Sequence, residues 1–327
     1  MAYNFGMLDG FGRTIDYLRV SVTDRCSLRC VYCMPPEGVE MTEHGDILSF
    51  EEALRVCKAA AGLGIRRFKV TGGEPLVRRG IAPFIRALKH TAGVETVTLT
   101  TNGVALADFL DSLIEAGIDG VNVSLDTLNE AVFRRITRSD NFDKVLRSIN
   151  AALDTRLALK LNCVPVRGLN EDDIVPLAEF ARERAAAVRF IELMPLGLGA
   201  ALLPMPRAEI FDRLRNAFGE LTHCNSRLGN GPAEYYGAAG FAGKIGFISP
   251  ISHNFCDRCN RLRLTGAGIL KPCLSSDAGV DVRAILRGGG DDAAITEAVC
   301  AAVTLKPVRH DFSINSHEEK NMFRIGG

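Results

Sequence analysis

Six short strand-like segments, each followed by a stretch of helical periodicity, constrain this chain more than any other feature. They are Tyr17–Thr23, Arg67–Thr71, Thr96–Thr100, Gly120–Leu125, Ala158–Pro165 and Ala187–Leu193, with helices near 50–63, 81–90, 105–116, 129–154 (with a break) and 171–184. Strand and helix in regular alternation predict parallel pairing with right-handed crossovers. Residues two apart on a strand share a face. One face collects Arg19 and Ser21, Lys69 and Thr71, Thr98 and Thr100, Asn122 and Ser124, Lys160 and Asn162, and Arg189. The other reads Leu18, Val20, Val22, Phe68, Val70, Val97, Leu99, Val121, Val123, Leu159, Leu161, Val188 and Phe190. An open parallel sheet covered on both faces is apolar on both. Six strands polar in phase instead predict a curved sheet with helices on an apolar outside and a wet lumen. The expected class is α/β, a partial (βα)6 barrel.

Beyond Met194 the pattern weakens. Pro204 and Pro206 precede a helix near 207–218, and Gly229 to Gly246 reads as loops and short strands. Arg261–Leu264 and Ile269–Cys273, separated by Thr265-Gly266-Ala267-Gly268, predict a hairpin, with short helices near 281–287 and 292–303. Residues 1–220 are thus expected to form the barrel and 221–327 a smaller elaboration packed on it. A chain of 327 residues with 47% hydrophobic and 24% charged residues can bury a core of that size. Lys+Arg and Asp+Glu both total 39, so no global field draws it to nucleic acid or a membrane. No signal-peptide pattern and no transmembrane run is seen, so a cytoplasmic enzyme is expected.

The ten cysteines are unevenly spread. Cys26, Cys30 and Cys33 form one set, and Cys256, Cys259 and Cys273 another; in a reducing compartment such clustering points to metal. Cys57, Cys163, Cys224 and Cys300 stand alone and read as small buried hydrophobes. Three thiolates can hold three irons of a four-iron cube and leave the fourth open to a small molecule. Zinc is the competing reading, but a structural zinc site takes four ligands. The nearest imidazoles are His44 for the first set and His253 for the second.

The spacing C-x3-C-x2-C with Tyr32 before the last cysteine resembles the signature of the radical S-adenosylmethionine superfamily. Thr71-Gly72-Gly73-Glu74-Pro75 is similar to that superfamily's GGEP motif, whose backbone receives the amino group of the cofactor's methionine. The superfamily fold is a partial βα barrel of six strands, as the parity argument requires independently. From about Thr14 to Gly327 the chain further resembles the GTP 3′,8-cyclase family of molybdenum cofactor biosynthesis. The most specific stretches are Ser21-Val22-Thr23-Asp24-Arg25-Cys26, Asn122-Val123-Ser124-Leu125-Asp126, Cys256-Asp257-Arg258-Cys259-Asn260-Arg261-Leu262-Arg263 and the terminal Gly326-Gly327. The stretch Leu196-Gly197-Leu198-Gly199-Ala200-Ala201-Leu202 is more apolar than that family leads one to expect.

The resemblance implies two [4Fe–4S] clusters and S-adenosylmethionine as cofactors. By position it makes Tyr32, Gly73, Ser124 and Met194 contacts of S-adenosylmethionine. Arg19, Lys69, Thr100, Lys160, Arg189, Arg261, Leu262 and Arg263 become contacts of GTP, with catalytic roles for Arg261, Arg263, Gly326 and Gly327. It also implies an electron donor and a hand-off to the next enzyme of the pathway; a homodimer is compatible with it. In the implied reaction a 5′-deoxyadenosyl radical removes the 3′ hydrogen of the ribose, and the carbon radical closes onto C8 of guanine. The residues support this on their own terms. Arg19, Lys69, Lys160 and Arg189 share the inferred lumen face, which holds no carboxylate, so they repel one another unless a polyanion joins them. The alternative is a radical enzyme acting on a peptide or another small molecule, with the second cluster as an electron relay.

Overall fold

The computed structural model describes residues 7–225, 228–312 and 322–324. Its centre is a run of six parallel strands in sequence order: β1 (Tyr17–Ser21), β2 (Arg67–Thr71), β3 (Thr96–Thr101), β4 (Gly120–Ser124), β5 (Ala158–Cys163) and β6 (Ala187–Ile191). Between them lie α1 (Phe50–Gly62), α2 (Ile81–Lys89), α3 (Leu106–Glu115), α4 (Glu130–Thr137) with α5 (Phe142–Leu153), and α6 (Ile174–Glu183). The predicted partial barrel is present. The helical stretch 129–154 is broken at Arg138, a left-handed residue at φ 56°.

The remaining strands extend this sheet at both edges. After α7 (Arg207–Phe218) come β7 (Thr222–Cys224), β8 (Glu234–Gly237) and β9 (Lys244–Ile248), then β10 (Arg261–Leu264), β11 (Ile269–Lys271) and β12 (Val280–Asp281). β9 pairs parallel with β6 (Gly246 opposite Arg189), and β10 pairs parallel with β1 (Arg263 opposite Arg19). The order is β12-β11-β10-β1-β2-β3-β4-β5-β6-β9-β8-β7. The expected hairpin is β10–β11, with Arg263 opposite Lys271. α8 (Val282–Arg287) and α9 (Asp292–Thr304) follow.

Register confirms the phase of the two faces. Leu18, Phe68 and Val97 stand opposite one another on neighbouring strands, as do Arg19, Lys69 and Thr98. The first trio is fully buried in the core beneath the helices, together with Val121, Leu161, Val188 and Phe190. Residues from all eight parallel strands, including Arg19, Lys69, Thr100, Ser124, Asn162, Arg189, Ile248 and Arg263, line one cavity of about 340 Å³. A flat sheet cannot bring them to one space, so the sheet curls. The β9–β10 connection, 249–260, runs directly between the two ends of the parallel run. The apolar stretch after Met194 finds its reason here: Leu196 and Leu274 pack with Met194, Phe312 and Met322.

A short ribbon of Met7–Leu8 with Thr14–Ile15 precedes β1. It carries a buried ion pair, Arg13 Nε to Asp9 Oδ2 at 2.6 Å. The same guanidinium donates to the carbonyls of Cys256 at 2.7 Å, Pro307 at 2.7 Å and Val308 at 3.0 Å, joining the ribbon to the second cysteine segment. Burial works to raise the Asp9 pKa, but hydrogen bonds from the Arg13 and Phe11 backbone and the Arg13 side chain leave it lowered. Asp9→Ala strands a buried guanidinium and should cost about 3–5 kcal/mol, read as a lower midpoint of urea unfolding. In the parent chain this contribution is full above the ordinary carboxylate range and fades as pH falls through the depressed Asp9 value; Asp9→Ala should lack that acid limb.

Candidate active site

The first cysteine loop leaves the C-terminal end of β1 and is fastened through its backbone. The amides of Arg29 and Val31 donate to Thr137 and Ile136, carbonyls of the last turn of α4, at 3.0 and 2.9 Å. Such carbonyls have no partner inside their own helix. Arg138, immediately after that helix, donates to the carbonyls of Arg29 and Met34 at 2.9 and 2.8 Å. The glycine loop after β2 lies against the same segment: Gly73 N–H donates to Thr23 and Glu74 N–H to Arg25, both at 2.7 Å. A β-carbon on Gly73 would lie 2.4 Å from the Arg25 carbonyl, so only glycine permits this approach. The buried Glu74 then accepts from Leu76 N, Thr101 Oγ1 and Asn102 N, and Asn102 reaches Cys26 Sγ at 3.7 Å. Burial nonetheless raises the Glu74 carboxyl to about 7.

Cys26, Cys30 and Cys33 all line the cavity, as do Tyr32, Gly73, Ser124 and Met194. Burial pushes all three thiols up, Cys33 to about 12; Cys26 adds to the rise at Cys30 and Cys33, and Cys33 to that at Cys30. They become thiolates readily only when a cation replaces their protons. Phe323 N–H donates to Cys33, so residues 322–324 reach this loop. Gly326 and Gly327 lie outside the described residues.

Cys256, Cys259 and Cys273 line the same cavity. Cys26 follows the end of β1, whereas Cys259 precedes β10, whose first residue stands opposite the first residue of β1. Cys273 returns to the level of Cys259 along the antiparallel β11. The two sets therefore enter the cavity from opposite ends of the strands, separated by a strand length of roughly 13 Å. Burial acts to raise Cys259, but Arg261 and Lys306 outweigh it and bring the thiol to about 7. His253 is exposed and lines no part of the cavity. The imidazole beside this set is His310, whose backbone N–H donates to Cys256 Sγ at 3.4 Å and whose ring meets the Pro250 carbonyl at 2.7 Å. Its distance along the chain hid it. Of the lone cysteines, Cys57 and Cys163 are buried as expected, while Cys224 and Cys300 are half-buried.

Between the cysteine sets the cations gather. Arg263, Arg19 and Lys69 occupy matching positions on three adjacent strands, an arrangement that like charges disfavour. Burial drives Lys69 well below its ordinary pKa, and Arg189, Arg19, Lys160 and Arg261 add to the effect. Arg189 is held by amide oxygens, Asn162 Oδ1 at 2.9 Å and Asn122 Oδ1 at 2.8 Å. Among the described residues no carboxylate pairs with Lys69, Lys160 or Arg189. Arg261 and Arg263 line the cavity as expected, Arg261 over the Phe255 ring at 4.8 Å. Two expectations need correction. Leu262, between them, faces the opposite way and is fully buried in the apolar core, so its side chain cannot touch a ligand. Lys160 shares the inner face but not the cavity wall, because its ammonium donates to the Leu228 carbonyl at 2.6 Å.

One buried acid escaped sequence reasoning although it lies in a quoted motif. Asp126 accepts from Tyr32 Oη at 2.6 Å and from Val164 N at 2.8 Å. Burial raises it to about 6 despite these bonds. Tyr32→Phe removes the donor from a buried carboxylate and should cost about 1–3 kcal/mol. The loss should grow as pH rises through about 6, where Asp126 takes up its charge; unfolding of both proteins across that range measures it.

Comparison with known proteins agrees with this geometry. Residues 20–181 match the model of the Radical SAM superfamily and residues 186–312 that of Molybdenum Cofactor Synthesis C. The GTP 3′,8-cyclase of Pelotomaculum thermopropionicum is 45% identical over 325 residues, 98% of this chain and 100% of its own. That of Moorella thermoacetica is 44% identical over 324 residues, with the same two shares. Among solved structures, Streptococcus suis SuiB bound to S-adenosylmethionine superposes with a TM-score of 0.59 at 14% identity, covering 85% of this chain and 66% of SuiB. SuiB bound to its precursor peptide SuiA gives 0.60 at 13%, covering 95% and 70%. At that identity the likeness to SuiB is one of fold.

Proposed function

Because the chain belongs to the GTP 3′,8-cyclase family of the radical S-adenosylmethionine superfamily, we propose that its cavity holds GTP between two [4Fe–4S] clusters, one on each cysteine set. The enzyme converts GTP to 3′,8-cyclo-7,8-dihydro-GTP, the first step of molybdenum cofactor biosynthesis. The observation that carries the proposal for the cavity is the row Arg263, Arg19 and Lys69 on neighbouring strands, with Arg189 also lining the space. Guanidinium forks and an ammonium turned on one space suit a triphosphate, whose charge would relieve their repulsion.

The donor sets fit iron–sulfur clusters. Each consists of three thiols facing one cavity. In a four-iron cube each of three such thiolates meets its own iron. When bound, the cluster on Cys26, Cys30 and Cys33 supplies the electron that cleaves S-adenosylmethionine to the 5′-deoxyadenosyl radical. The chain's own residues position the reactants. Gly73 backbone, Ser124, Met194 and Tyr32 hold S-adenosylmethionine by the first cysteine loop. Arg19, Lys69, Thr100, Arg189, Arg261 and Arg263 hold GTP below it. The apolar cluster of Leu196, Leu274, Met194, Phe312 and Met322 keeps water from the reacting carbon. The terminal Gly326-Gly327 follows a segment that already reaches Cys33, and we assign it the task of ordering the bound nucleotide.

Anaerobic reconstitution tests the two-cluster reading. The chain should take up about eight irons, and Cys256→Ala should lose half while leaving uncoupled cleavage of S-adenosylmethionine. Cys26→Ala should lose the other half and all cleavage. Four irons with one tightly bound zinc would overturn the second cluster. GTP binding tests the cations: Arg261→Ala and Arg263→Ala should each weaken it by about 1–3 kcal/mol at unchanged iron content, as measured by calorimetry. Competition by a peptide in place of GTP would favour the rival substrate class.

A further inference from the structure

Lys306 belongs to no motif, yet it is among the most deeply buried charges in the molecule, 4% exposed just beyond α9. Its ammonium donates to the carbonyl of Arg261 at 2.7 Å and to that of Pro272 at 2.9 Å. Those carbonyls lie on the two segments that carry cysteines of the second set. Arg261 follows Cys259 by two residues, and Pro272 directly precedes Cys273. No carboxylate pairs with Lys306 among the described residues, and Arg261 and Arg13, the other charged groups that act on it, carry the same sign. Burial of an ammonium among neutral carbonyls is costly unless a negative charge stands close. The groups near enough to favour its charge are the Cys259 and Cys273 sulfurs.

We propose that Lys306 is a positioning residue of the second cluster, clamping the Cys259 and Cys273 segments together and fixing a positive charge beside their thiolates. The proposal rests on the reading that those cysteines hold a [4Fe–4S] cluster. A fixed positive charge favours the reduced, more negative cluster, so Lys306 raises its reduction potential. It also limits how far the two ligand segments can separate, which slows loss of iron.

The test uses the full chain with Cys26, Cys30 and Cys33 replaced by Ala, reconstituted so that only the second cluster is present. Potentiometric titration followed by electron paramagnetic resonance gives its midpoint, and a chelator gives the rate of iron release. Lys306→Gln, which keeps a donor but not the charge, should move the midpoint to more negative values and speed iron release several-fold. Lys306→Arg should hold the midpoint near that of the parent. Loss of iron in the Gln variant with retention in the Arg variant would also support the proposal. An unshifted midpoint in a Gln variant that keeps its cluster would overturn it. So would an Arg variant, folded by circular dichroism, that shifts as far as Gln or holds no iron. If the parent with Lys306 in place takes up no iron, the cluster reading itself fails, a result distinct from a failure of Lys306 alone.

Discussion

The site depends on apolar packing at the outside of the curved sheet, because the inside opposes closure. Leu18, Phe68, Leu99, Val121, Leu161 and Phe190 are buried beneath the helices, and each large side chain of this kind contributes about 1.5–3 kcal/mol on burial. On the opposite face of the same strands, Arg263, Arg19 and Lys69 stand side by side. The two faces cannot be separated, since alternation along each strand sends one residue out for each residue sent in. The apolar layer thus holds like charges at a spacing they would not choose. The polyanion proposed for the cavity would meet these groups already positioned, with their repulsion already offset by the core.

Both cysteine loops are secured by the same chemistry. In each, cationic side chains donate to backbone carbonyls of the loop. Arg29 reaches the carbonyl of Cys26 at 2.8 Å, Arg138 those of Arg29 and Met34, Arg13 that of Cys256, and Lys306 those of Arg261 and Pro272. Such donors fix geometry and place positive charge near thiols that would become anionic on holding the proposed clusters. Across the chain the charges balance at 39 of each sign. The field in the cavity therefore comes from placement, not from composition.

The C-terminal part adds the second half of the cavity without building a separate sheet. β9 and β10 continue the parallel run at its two edges, and the segment between them joins the edges. The second cysteine set lies on that segment and on the turn after β11, facing the first set across the cations. Residues from Tyr17 to Phe323 line the space between them. The Arg13 contacts to Cys256, Pro307 and Val308 tie the N-terminal ribbon into the same assembly.

Local pattern was enough to read the six strands within two residues at each end, the break in the fourth helical stretch, the phase of the two faces and the cysteine sets. Period-2 alternation and short-range spacing are written in neighbouring residues, so they survive without coordinates. Arg261 and Arg263 were legible for the same reason, since parity on one strand puts them together. Parity also shows why Leu262 had to turn away, a point that positional likeness to a family overrides when it names whole runs. Contacts between distant segments were decided by tertiary structure alone. Lys160 has the inner-face parity of a cavity residue, but the Leu228 carbonyl draws its ammonium aside. His310 rather than His253 stands beside Cys256, and Lys306 links two cysteine segments more than thirty residues before it. Asp126 becomes a buried acid with a raised pKa only when Tyr32 and Val164 close around it. Each of these depends on which loops the sheet's curvature brings together, and no local rule in the chain encodes that.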